Sequence, residues 1–119
     1  MDTTTEFCTF DEMVAVLSRN ALQALVQDWW SRLERAIRDF CARRGEQPRE
    51  RISDLISKRL PAHSGITVQL IHELHEMRML RNAVAHGDAP PLTAREAEAY
   101  ARRAWEISWY LVKFDELKT

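Results

Sequence analysis

The chain has 119 residues, enough for one domain and little more. Hydrophobic residues make up 45% and charged residues 29%, with only three glycines and four prolines, which excludes a turn-rich β-sandwich and a low-complexity linker. A formal net charge of −1 argues against a protein that coats nucleic acid through its overall field, though not against a local basic cleft.

The basic residues are arginines except for Lys58, Lys113 and Lys118. Cys8 and Cys41 are spaced neither as a metal knuckle nor as a disulfide framework, so a reducing cytoplasmic setting is expected. The first residues lack the basic start and apolar stretch of a signal peptide, and no apolar run is long enough for a membrane span. No internal repeat is present.

Residues 1–10 read as a poorly structured segment ahead of a single helical domain. Apolar residues then recur in steps of three and four at Val14, Leu17, Ala21, Leu22, Leu25, Val26, Trp29, Leu33, Ala36, Ile37 and Phe40. They predict a helix from Asp11, as its cap, to Arg44, closed by Gly45, with a bend or break near Ser18–Asn20 left open. A short helix is expected over Arg49–Leu60, with Pro48 at its start and Ile52, Leu55, Ile56 and Leu60 on its buried side.

A third helix, Ile66 to His86, buries Ile66, Leu70, Leu74, Met77, Leu80 or Arg81, and Val84, with Gly87 as a left-handed cap. Thr93 and Glu96 read as a capping box opening a last helix to about Phe114, through Ala97, Tyr100, Ala101, Ala104, Trp105, Ser108, Leu111 and Val112. The expected architecture is all-α, an antiparallel bundle of four to five helices.

The segment Leu80-Arg81-Asn82-Ala83-Val84-Ala85-His86-Gly87 ends an amphipathic helix in a polar cluster. Arg81 and His86 are five positions apart, about 140° around the axis, so both can border one groove. Asn82 and His86 share a face, and Arg78 and His75 lie on the turns before. These groups suit RNA cleavage by the ribose 2′-hydroxyl. Histidine moves protons near neutral pH, and arginine offers phosphate a permanently charged fork. A helix C-terminus favours the protonated imidazole, and the same fact gives a histidine there a purely structural use.

Arg-Asn-x-x-Ala-His-Gly, at the end of a third helix and followed by a turn and a long final helix, resembles the HEPN superfamily. The resemblance implies an up-and-down helical bundle and a metal-independent endoribonuclease, often a toxin or antiviral effector. It implies a homodimer with two Arg-x(4–6)-His motifs facing one cleft. Arg81 matches the motif arginine, Asn82 the polar position and His86 the motif histidine; Arg78 and His75 would then assist RNA binding. An antitoxin or companion protein is among the implied partners; no cofactor, metal or membrane is. One toxin group has a tyrosine two positions after the histidine, where this chain has Asp88, so that pairing is not implied.

Other segments read more plainly. The histidines of His72-Glu73-Leu74-His75-Glu76 are three apart, not four as a zinc-protease motif needs, and suggest a solvated face. Trp105 and Trp109, one turn apart, are expected in the core or at a dimer contact, and one of Trp29 and Trp30 at the surface; stacking on bases is the other use of these rings. Arg49-Glu50-Arg51 and Arg95-Glu96 read as solvated faces. The second functional expectation is a non-catalytic helical module that binds a protein or nucleotide. Its mark would be a buried Arg81 cluster, or Arg81 paired with Glu76 or Asp88.

Overall fold

The computed structural model describes residues 10–47 and 49–117. Residues 1–9, Cys8 among them, Pro48 and residues 118–119 lie outside these, as do the side chains of residues 10–17, Val14 and Leu17 among them, and of residue 117. The element order is α1 (Phe10–Arg43), α2 (Ile52–Asp54), a π-helical turn (Leu55–Arg59), a 3-10 turn (Leu60–Ala62), α3 (Val68–Ala85), α4 (Ala94–Val112) and α5 (Phe114–Leu117). Among the described residues there is no strand, and the chain is an all-helical bundle.

α1 runs unbroken through Ser18–Asn20, and Asp11 lies inside it rather than capping it. Its end is built as expected: Gly45 takes φ 77°, and the Glu46 N–H reaches the Cys41 carbonyl at 3.0 Å. The second helix begins at Ile52, the first of its apolar set and three residues later than the expected start at Arg49. It then widens, the Leu60 N–H bonding to the Leu55 carbonyl five residues back. Pro61 supplies the reason, since it has no N–H for the Ser57 carbonyl and its ring crowds the preceding turn.

α3 starts at Val68 because Thr67 caps it, the Leu70 N–H donating to the Thr67 hydroxyl at 3.1 Å. Ile66 is buried but precedes the helix. The Thr93–Glu96 capping box of α4 has both of its reciprocal bonds.

Contacts set the directions. The Arg43 guanidinium donates to the Leu111 carbonyl and Arg44 pairs with Asp115, so the C-terminal ends of α1 and α4 lie together. Tyr100 bonds to the Met77 carbonyl and Arg103 to Glu73, so α3 and α4 run antiparallel. α1 and α4, two reversals apart, are therefore parallel. The α3–α4 turn falls level with the middle of α1, whose N-terminal part extends beyond it.

The core joins Val26, Leu33, Ile37 and Phe40 of α1 to Leu55, Ile56 and Leu60, to Leu74 and Met77 of α3, and to Ile107 and Leu111 of α4. Each fully buried Leu or Ile contributes about 2 kcal/mol of apolar burial.

Three expectations about faces are corrected. Trp30 is the core tryptophan, 2% exposed, while Trp29 is half-buried and Ala21 exposed. Trp30 is tolerated there because its indole N–H reaches Glu34 at the core edge. The buried line of α4 is Ala97, Tyr100, Ala104, Ile107 and Leu111; Trp105, Trp109 and Val112 are more than half exposed, and Ala101 and Ser108 half-buried.

Candidate functional site

The Arg-Asn-x-x-Ala-His segment forms the last two turns of α3. Val84 faces the core, and His86 is the exposed C-cap, its backbone N–H bonded to the Asn82 carbonyl at 3.0 Å. Gly87 at φ 75° reverses the chain, which lets the Asp88 N–H reach the Ala83 carbonyl at 2.8 Å. The imidazole of His86 thus stands at the open end of the helix.

Arg81 falls on the same side of α3 as Leu74 and Met77, and it is half-buried. Its stem lies along the core edge while Nη1 donates to the Asn82 side-chain oxygen at 3.3 Å. Its charge is felt at Tyr100: burial holds that phenol neutral well above its ordinary range, and Arg81 opposes the shift. The Tyr100 hydroxyl donates to the Met77 carbonyl at 2.9 Å, one turn before Arg81, and fixes α3 against α4 at that level.

Arg78 is half-buried one turn from Arg81. The Nε atoms of these two arginines are the only buried side-chain polar atoms without a hydrogen-bond partner among the described residues. Neighbouring carboxylates do not serve them. Glu73 takes a bidentate pair from Arg103, and Glu76 takes His72 at 2.8 Å. Neither Arg78 nor Arg81 has a salt bridge among the described residues. Unpaired donors buried at the edge of a core cost stability.

The structure thus brings Arg81 and Asn82 into contact, with His86 on the following turn. His75 is half-buried on the same face as Asn82, two turns before it, and Met79 is 65% exposed on this side. Tyr100 escaped sequence reasoning as a site neighbour: its place in the α4 apolar line marks it as core, and nothing local shows that its hydroxyl ends beside Arg81.

The His72–Glu76 segment is a solvated face only in part: His72 and Glu76 are exposed, Glu73 and His75 half-buried and Leu74 in the core, and among the described residues no three His, Cys, Asp or Glu side chains gather as a metal-holding group. Glu50 and Glu96 do more than face solvent: Glu50 forks onto Arg59, and Glu96 caps α4. Cys41 is buried, and its thiol is pushed up to about 11 by burial and then by Glu46, which keeps it protonated. No helix among the described residues is long and apolar enough to cross a membrane. No protein-family model, curated protein or solved structure matches the chain.

Proposed function

We propose that this chain is a metal-independent endoribonuclease of the HEPN type, a toxin or defence effector acting as a homodimer with a composite Arg81–His86 site. The observation that carries the reading is that Arg81, oriented by Asn82, has no carboxylate partner among the described residues while the nearby Glu73 contacts Arg103 and Glu76 contacts His72. A structural arginine at a core edge ordinarily finds an acid; a phosphate-binding one needs its fork free.

In the proposed step the ribose 2′-oxygen forms a bond to phosphorus as the bond to the 5′-oxygen breaks. One His86 imidazole takes the 2′-hydroxyl proton, and the protonated His86 of a second copy gives one to the leaving oxygen. Arg81 holds the phosphate as charge builds, with Arg78 and His75 along the incoming strand. The products are a 2′,3′-cyclic phosphate and a 5′-hydroxyl.

The test is cleavage of single-stranded and structured RNA by purified protein in excess chelator, beside Arg81→Ala and His86→Ala. The reading expects cleavage that survives chelation and falls at least about 100-fold in each variant. Intact RNA with a folded wild type would sink it. A second reading, a non-catalytic interaction or nucleotide-binding module, is favoured by the exposed tryptophans of α4, which offer a binding surface with no part in the chemistry.

A further inference from the structure

Arg81 has little on its own helix to aim it. Its Nη1 donates to the Asn82 side chain at 3.3 Å, and Asn82 is its neighbour on the same turn. A bond within one turn moves with that turn, so it cannot set the fork against the rest of the bundle. A contact from another helix is needed for that.

Tyr100 of α4 makes such a contact. On the buried line of α4 it stands between Ala97 and Ala104, both fully buried, so the phenol is the long side chain at this level. The ring is 7% exposed, and its hydroxyl donates to the Met77 carbonyl at 2.9 Å. Met77 and Arg81 both lie inside α3, four residues apart, so the same carbonyl takes the Arg81 backbone N–H. A carbonyl oxygen has two lone pairs and can serve both donors. The phenol therefore holds the backbone bond that fixes the Arg81 turn.

The Arg81 charge also reaches the phenol, and burial keeps that phenol neutral. A carboxylate at this place would orient the guanidinium but cancel its charge. A neutral phenol leaves the charge to a phosphate.

We infer that Tyr100 is the positioning residue of Arg81, holding through the Met77 carbonyl the turn of α3 that carries the guanidinium. Its effect on rate rests on the ribonuclease reading; its hold on Arg81 does not.

The experiment compares wild type with Tyr100→Phe, which keeps the ring and removes the hydroxyl, and with Tyr110→Phe as a control. Tyr110 lies about 15 Å further along α4. Its hydroxyl donates to the Gly65 carbonyl at 2.7 Å, ahead of α3, so its loss removes a bond of the same kind far from Arg81. Two readouts are taken where circular dichroism shows all three proteins fully folded. The first is exchange with water of the Arg81 Hε proton in 15N-labelled protein, its signal identified by its loss in Arg81→Met. The Arg81 Nε is buried without a hydrogen-bond partner among the described residues, so this proton reports how well the fork stays seated. The second is kcat and KM for RNA cleavage in excess chelator.

The inference expects the Arg81 proton to exchange about fivefold faster in Tyr100→Phe and at the wild-type rate in Tyr110→Phe. It expects kcat to fall about tenfold in Tyr100→Phe with KM within about twofold of wild type, and neither to change in Tyr110→Phe. Exchange that is unchanged in Tyr100→Phe, or raised equally in both variants, would overturn it, and so would a wild-type kcat in Tyr100→Phe. RNA left whole by the folded wild type removes the ribonuclease reading alone, because the exchange rates still decide whether Tyr100 holds Arg81.

Discussion

Tyr100 and Arg81 show how one side chain both holds the fold and sets the site. The Tyr100 phenol is kept protonated by burial, so the folded chain retains a proton that the unfolded chain releases at high pH. Its contribution is complete below about pH 10 and is lost as pH rises further, because only the unfolded state gains by ionising. Cys41, pushed up to about 11, adds a loss of the same sign that begins nearer pH 9. Tyr100→Phe is expected to cost about 1 kcal/mol at neutral pH for the lost bond to Met77 and to flatten the alkaline fall, as read by urea unfolding from pH 7 to 11. Arg81→Met keeps the buried stem and removes the fork. It should leave stability within about 1 kcal/mol of wild type while RNA cleavage is lost, whereas a structural Arg81 would show the reverse.

At the scale of elements, three helix ends depend on backbone that few residues provide. Gly87 has φ 75° and open space around its missing side chain, so Gly87→Ala costs only the left-handed strain, about 1 kcal/mol. Gly65 has φ 99°, and an added Cβ would meet the Phe114 ring at 3.1 Å, where Tyr110 also bonds to the Gly65 carbonyl. Gly65→Ala must therefore lower the thermal midpoint more than Gly87→Ala; equal shifts would contradict the close approach of Phe114. Thr93→Ala removes half of the α4 capping box and should cost about 1 kcal/mol.

These ends were legible in the sequence, since glycine after a periodic run and Thr-x-x-Glu before one report on local backbone alone. The buried faces were less so. Trp29 and Trp105 fit an apolar spacing by size, but α4 packs through its alanines, Ala97 and Ala104, and leaves its largest rings outside. Nothing local marks that choice, because it depends on how closely α1 approaches. The π-helical turn was likewise hidden, although Pro61 holds its cause. The Arg81–Asn82 contact was readable as adjacency; the lack of a salt bridge to Arg81 among the described residues was not, since Glu73 contacts Arg103 and Glu76 contacts His72.

Across the whole molecule the outline is long: 65 × 25 × 20 Å, with a radius of gyration of 17.9 Å where a compact domain of this length has about 13–14 Å. The excess follows from a 34-residue α1 set against helices of 18 and 19 residues. A row of exposed rings such as Trp105 and Trp109 is unusual on a lone monomer. The proposed chemistry calls for two chains, with Arg81 and Arg78 of α3 as the residues that would hold RNA. The measurement that reaches this most directly uses an RNA with a mapped cleavage site and a matched RNA carrying a single 2′-deoxy sugar there, both in excess chelator. The account predicts a 2′,3′-cyclic phosphate end from the first RNA and no cut at that position in the second. A cut that persists at the deoxy position, or a folded wild type that leaves both strands whole, would contradict it.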